Sequence, residues 1–226
     1  MTRNFRELLE TKWDEGKFVC VGLDSKLESI PTSVKGKDPT ETIREFNRQI
    51  VESTKDIVCA YKPNSAFYEA YGSFGWSALV HTVCDIQKRA PSVPIILDAK
   101  RADIGNTNAG YVSAAFSALE VDAITVHPYL GRKALEPFLE REEKGVFVLC
   151  RTSNPGADEF QDLSVTSRDG TACKLYEVVA ENVARVWNGG GNCGVVAGAT
   201  YPDELARIRS MQILANVSVY KNLNHY

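Results

Sequence analysis

What this sequence lacks excludes more than its composition does. Nowhere in its 226 residues do about 18 apolar residues follow one another, so no membrane-spanning helix is predicted. The opening Met1-Thr-Arg-Asn-Phe-Arg-Glu7 reaches an acidic side chain with no apolar stretch, so no secretory leader is expected. Basic charge is not in excess. Lys and Arg number 26 against 29 Asp and Glu, a net charge of -3, which argues against nucleic acid or an anionic membrane as partner. The six cysteines (Cys20, Cys59, Cys84, Cys150, Cys173 and Cys193) contain no Cys-x-x-Cys pair. Cys20, Cys59 and Cys150 lie in apolar runs, where a thiol packs as a small hydrophobe, so the set reads as reduced and structural, in a cytoplasmic protein. Low-complexity tracts and interdomain linkers are also missing, and the first turn, Gly22-Leu-Asp24-Ser-Lys26, has no Gly-x-Gly-x-x-Gly.

What is present is an alternation. Six short apolar runs recur: Phe18–Leu23, Ile57–Tyr61, Val93–Leu97, Ala123–Val126, Val146–Cys150 and Val195–Ala197. They are nearly continuous rather than alternating, as expected of parallel strands buried on both faces. Between them lie segments of helical period. Ile43, Phe46, Ile50 and Val51 fall on one face, as do Trp76, Leu79, Val80 and Val83. The same holds for Val112, Ala115, Phe116 and Leu119, and for Leu175, Val178, Val179, Val183 and Val186. Asp38-Pro39-Thr40-Glu41 predicts a capped start for the first of these helices. Arg141-Glu-Glu-Lys144 reads as a solvated helix end, and Gly189-Gly-Gly191 as a helix stop. The longest segment expected to be irregular, Arg151–Gly170, reads as a lid or binding loop.

Most of the runs end in a polar residue: Asp24, Lys62, Asp98, His127 and Arg151. Functional groups at the carboxyl ends of several strands favour a TIM (β/α) barrel over a doubly wound sheet, which gathers its ligand groups at one switch point. The most informative stretch is Asp98-Ala-Lys100-Arg-Ala-Asp103-Ile-Gly-Asn-Thr107. Strand alternation puts Asp98 and Lys100 on one face, and charges there need partners, which Lys62 and Asp24 from neighbouring strands supply. Carboxylates beside Lys100 favour its charged form, suiting it to donate a proton; the alternative is a salt bridge that only stabilises a strand end. His127 reads as a packing or loop-fixing residue. Arg151 is open between meeting an anionic substrate and pairing with an acidic neighbour.

From about Phe18 to Arg209 the chain resembles orotidine 5'-phosphate decarboxylases. The resemblance is carried by the Asp-x-Lys-x-x-Asp stretch just quoted. It is supported by Val21-Gly-Leu-Asp24, Tyr61-Lys-Pro-Asn64, Val126-His-Pro-Tyr-Leu-Gly131, Arg151-Thr-Ser-Asn-Pro155 and Gly198-Ala-Thr-Tyr-Pro-Asp203. It implies removal of carbon dioxide from orotidine 5'-phosphate to give UMP, with neither metal nor organic cofactor. It also implies roles. Lys100 corresponds to the lysine that protonates the vacated ring carbon, Asp98 to the carboxylate facing the substrate's own, and Lys62 to the lysine linking this network to the ribose. Asp24 corresponds to a ribose-hydroxyl contact and Ser153 to the residue on the pyrimidine edge. Asp103 and Thr107 correspond to residues that reach a neighbouring subunit's site, so a homodimer is implied.

The chain departs from the family after Ser210. Two further strands are expected there, carrying a Gly-rich loop with a glutamine and then an arginine, which grip the substrate phosphate. Residues 211–226 contain no Gly, Pro or Arg. Ile213–Val219 is a candidate seventh strand, and nothing beyond it suits an eighth. The expectation is therefore an incomplete barrel of about six βα units over residues 1–210, with a divergent tail over 211–226 in a truncated or frameshifted copy. Two other readings stand beside the decarboxylase: a magnesium-dependent sugar-phosphate lyase or synthase using Asp-x-Lys-x-x-Asp, and a non-catalytic remnant.

Overall fold

The computed structural model describes residues 3–211 and 217–220. Helix α1 (Phe5–Asp14) leads into strand β1 (Val19–Leu23), α2 (Pro39–Thr54), β2 (Val58–Pro63), α3 (Ala66–Glu69) and α4 (Gly72–Arg89). There follow β3 (Ile96–Arg101), α5 (Gly105–Val112), β4 (Ala123–Val126), α6 (Gly131–Leu139) and β5 (Gly145–Arg151). The remainder is α7 (Asp158–Gln161), β6 (Ser164–Thr166), β7 (Ala172–Lys174), α8 (Leu175–Asn182), β8 (Cys193–Gly198), α9 (Pro202–Ser210) and β9 (Val217–Tyr220). These elements pack as two compact units, Met1–Ala99 with Gly110–Ile124, and Lys100–Ala109 with Thr125–Tyr226.

In the first unit β1 and β2 are parallel, with Gly22 opposite Lys62 and Leu23 opposite Pro63. Parallel bridges then link Tyr61 to Ile95 and Asn64 to Asp98. Helix α2 starts where its sequence dictates: the Asp38 carboxylate accepts from the Glu41 N–H at 2.9 Å, and Pro39 fills a position that needs no donor. Its Ile43 and Val51 are buried, as are Ala78, Leu79, Val83 and Ile86 of α4. Fully burying each of the larger side chains is worth roughly 1.5–3 kcal/mol. Buried Asp122 holds the start of β4, taking two hydrogen bonds of 2.8 Å from the Arg3 guanidinium and one of 2.9 Å from the Ile95 N–H.

Two expectations fail in this unit. Trp76 lies on α4 but is 42% exposed, so the buried stripe runs through Ala78 instead. Strand β1 is not buried on both faces: Val19 is 52% exposed, beside Phe18 at 71%. Among the described residues β1 pairs with β2 alone.

The ends of β3 and β4 belong to the second unit, in a sheet ordered β3-β4-β5-β8-β9. Strands β5 and β8 run parallel from Val146 opposite Cys193 to Arg151 opposite Ala197, and both are apolar and buried. Strand β9 pairs parallel with β8, Val195 opposite Val217 and Gly198 opposite Tyr220. The candidate seventh strand is therefore seen from Val217 onward, while its residues 213–216 lie outside the described residues.

The second unit corrects three further expectations. The face of α8 that is buried is Tyr176 and Ala180, continued by Val183 and Trp187, whereas Val186 is 44% exposed. The helix widens into a π turn over Val183–Trp187, which rotates its face away from simple helical period. Arg151–Gly170 is not wholly irregular: it contains α7, and β6 pairs antiparallel with β7. Gly170, at φ +85°, closes that hairpin, and Asp169 accepts from the Thr171 N–H at 3.0 Å. Finally, Arg141-Glu-Glu-Lys144 follows α6 as a turn, and Lys144 is buried. The Asn192 amide gathers that turn, donating to the carbonyls of Leu139, Arg141 and Lys144 at 3.1–3.2 Å.

Candidate active site

Strand ends place the charged residues. In the first unit, Asp24 directly follows β1, Lys62 lies in β2 and Asp98 in β3. The Lys62 Nζ donates to Asp98 Oδ2 at 3.1 Å, and each side chain is 12% exposed. Burial works against the Lys62 ammonium, but the charges of Asp98 and Asp24, with the Asp98 hydrogen bond, outweigh it and move the pKa upward. An ammonium with a raised folded pKa contributes stability that is complete below the unfolded value, about 10.4, and is lost as pH rises through the folded one. NMR titration of the Lys62 Cε resonance is therefore expected to give a midpoint above that of a solvated lysine. A midpoint at or below about 10.4 would show that burial, not the carboxylates, governs the group.

A buried polar network fixes the backbone on either side of Asp24. Tyr68 donates its hydroxyl hydrogen to the Leu23 carbonyl at 3.0 Å, and Ser25 donates to the Asn47 carbonyl oxygen at 2.5 Å. The Asn47 amide donates to Tyr68 at 3.0 Å and to Thr82 at 2.9 Å. All four side chains are buried, and desolvation pushes the Tyr68 phenol up, so it remains a neutral donor. Asn47 escaped the reading of the sequence, although an amide four residues from both Ile43 and Val51, on an apolar helix face, is the signal that marks it.

The second unit carries Lys100, Asp103, Thr107 and Ser153. Strand alternation does not run through Lys100, because its backbone adopts φ +48°, the left-handed region. Its N–H donates to the Thr125 hydroxyl at 3.0 Å. A left-handed conformation costs a non-glycine residue roughly 1–2 kcal/mol, a strain that persists where surrounding structure requires it and that clusters at functional sites.

The loop after β3 is braced by a second residue that was missed, Asn108. It is fully buried, its carbonyl oxygen accepts from the Asp103 N–H at 2.8 Å, and its amide donates to the carbonyls of Asp103 and Ala134. The Asp103 carboxylate accepts from the Ile104 N–H at 2.7 Å, and Thr107 is exposed on the first turn of α5. Ser153 is half-buried in the loop after β5. Of the two options for Arg151 the acidic partner prevails: its guanidinium is 2.9 Å from Asp162 and stacks 4.1 Å from the Tyr201 ring centroid. His127 donates its backbone N–H to the Arg101 carbonyl at 3.2 Å. Among the described residues no cluster of His, Cys, Asp and Glu is arranged to hold a metal ion.

Residues 17–218 match the family model of orotidine 5'-phosphate decarboxylase / HUMPS proteins. The chain belongs to that family. A curated orotidine 5'-phosphate decarboxylase of Thermomicrobium roseum is 53% identical over 209 residues, covering 91% of this chain and 71% of the relative. One from Herpetosiphon aurantiacus is 50% identical over 190 residues, covering 84% and 68%. Among solved structures, the Leishmania donovani OMP decarboxylase superposes with a TM-score of 0.80 at 39% identity, over 92% of this chain and 76% of that one. A Toxoplasma gondii structure described as a putative orotidine-monophosphate-decarboxylase gives 0.83 at 35%, over 93% and 75%. These likenesses assign this decarboxylase-family chain to the α/β barrel fold class.

Proposed function

We propose that the chain acts on orotidine 5'-phosphate as a carboxy-lyase, releasing carbon dioxide and forming UMP for pyrimidine nucleotide synthesis. The observation that carries this reading is the shielded Lys62–Asp98 pair at the ends of strands in a chain of this family. Breaking the bond between the ring carbon and the carboxylate leaves an electron pair on a carbon with no adjacent sink, so a fixed cation must stabilise it. In this reading Lys100 supplies that charge and then its proton. Asp98 faces the departing carboxylate, Lys62 connects the charges to the ribose, Asp24 binds a ribose hydroxyl and Ser153 meets the pyrimidine edge. The reading calls for no cofactor.

Asp103 and Thr107 are proposed to serve the site of a second copy. Three of the large apolar side chains that the second unit leaves exposed, Ile104, Tyr129 and Leu130, support a homodimer. A cytoplasmic location accompanies the small-molecule substrate. A specific observation favours the non-catalytic remnant as second reading: residues 211–226 contain neither glycine nor arginine with which to grip a phosphate. A phosphate grip supplies remote binding energy, so residues 1–226 alone are expected to turn over more slowly than a version that carries such a segment.

The test is the fall in substrate absorbance on adding orotidine 5'-phosphate, with and without a metal chelator, to this chain and to a version extended with the corresponding end of the Thermomicrobium roseum relative. Chelator-insensitive turnover, faster in the extended version, is expected. No turnover of orotidine 5'-phosphate, with magnesium-dependent turnover of a sugar phosphate instead, would transfer the chain to the sugar-phosphate reading. No turnover and no UMP binding in either version would leave the remnant.

A further inference from the structure

We propose that Arg151, Gln161 and Gly198 form a seat that sets the position of Ser153, making Arg151 a positioning residue and Gly198 a steric determinant of how the base edge is met. The proposal rests on the reading of Ser153 as the pyrimidine contact. It is built within the second unit alone.

The first wall of the seat is polar. Gln161, at the end of α7, clasps Thr152 twice: its carbonyl oxygen accepts from the Thr152 N–H at 2.8 Å, and its amide donates to the Thr152 hydroxyl at 2.8 Å. That hydroxyl in turn donates to the Asn154 side-chain oxygen at 2.7 Å, so both neighbours of Ser153 are held. Arg151 secures the clasp from beneath. It is 3% exposed, and one guanidinium nitrogen donates to the Thr152 carbonyl at 2.8 Å and to the Gln161 oxygen at 3.4 Å. The other reaches Asp162 at 2.9 Å, while the plane lies over Tyr201. A guanidinium pinned by a carboxylate, a carbonyl and an aromatic face is committed to structure, and a lysine could not reproduce its fork or its stack.

The second wall is an absence. Gly198, the last residue of β8, is buried, and a Cβ built there would lie 2.9 Å from the Ser153 Cβ and 3.2 Å from its backbone nitrogen. No φ in the left-handed region requires glycine at this position, so packing against Ser153 is the reason for it. A single methyl group at Gly198 would push Ser153 off its seat.

Two measurements test this on the intact chain. Hydrogen exchange of the Thr152–Asn154 amides is expected to accelerate on the order of tenfold or more in Arg151→Lys and Gly198→Ala, with β5 unchanged. In the second measurement UMP and ribose 5-phosphate are titrated against each variant. Gly198→Ala is expected to weaken UMP roughly tenfold and leave ribose 5-phosphate unaltered, a split that general loosening would not produce. In a Ser153→Gly background, which removes the nearest opposing atom and leaves the backbone nitrogen 3.2 Å away, Gly198→Ala is expected to have a smaller effect on exchange than it has alone. Unaltered exchange in both single variants, or equal loss of both ligands, overturns the seat. The underlying reading is judged separately by Ser153→Ala: if UMP affinity survives loss of the hydroxyl, that contact fails. The exchange data still decide the seat even if the wild-type chain binds neither ligand.

Discussion

Replacing Lys100 with alanine in a turnover-competent version of the chain is expected to lower kcat on the order of a thousandfold or more, with a much smaller change in UMP affinity. The loss falls on the transition state because the ammonium meets a negative charge that exists only after the carboxylate begins to leave. A second comparison isolates the backbone. Lys100 sits at φ +48°, so Lys100→Ala keeps the strain of a Cβ in the left-handed region, whereas Lys100→Gly removes it. The glycine variant is expected to be as inactive as the alanine variant but more stable to urea by about 1 kcal/mol. Near-normal turnover in either variant would end the assignment of Lys100 as proton donor. Equal stability of the two would show that the left-handed backbone is not strained.

Asn47→Ala is expected to cost about 3 kcal/mol of unfolding free energy, the largest stability effect anticipated for a single polar side chain here. Asn47 is 1% exposed and joins Ser25, Tyr68 and Thr82 through three hydrogen bonds. Its removal leaves buried hydroxyls without their partner and opens a small void. The network also holds the Leu23 carbonyl, so the backbone beside Asp24 should loosen and UMP affinity fall with stability. Urea denaturation provides the measurement. A loss below about 1 kcal/mol would mean that water replaces the amide and that the network does not brace Asp24.

The alternation of strand and helix was legible because period and apolar continuity decide it, and the capped start of α2 was legible because Asp38-Pro39-Thr40-Glu41 states its hydrogen bonding locally. Lys62 and Asp98 were legible as partners because charges at strand ends need each other. What escaped has a common physical character: it depends on groups distant in sequence. Asn47 and Asn108 satisfy buried backbone and hydroxyl groups up to 35 residues away, and polar residues inside helices do not announce such duties. The π turn after α8 moved Val186 outward, a one-residue irregularity that period counting cannot anticipate. The left-handed Lys100 defeated strand alternation in the same way. The hairpin of β6 and β7 was hidden because three-residue strands carry too little pattern to distinguish them from a loop.

The exposed apolar start of β1 bears on how this polypeptide behaves in a crowded solution. Phe18 and Val19, 71% and 52% exposed there, offer an apolar patch to any other chain that drifts past. Yield on expression should then depend on how concentrated the chain becomes.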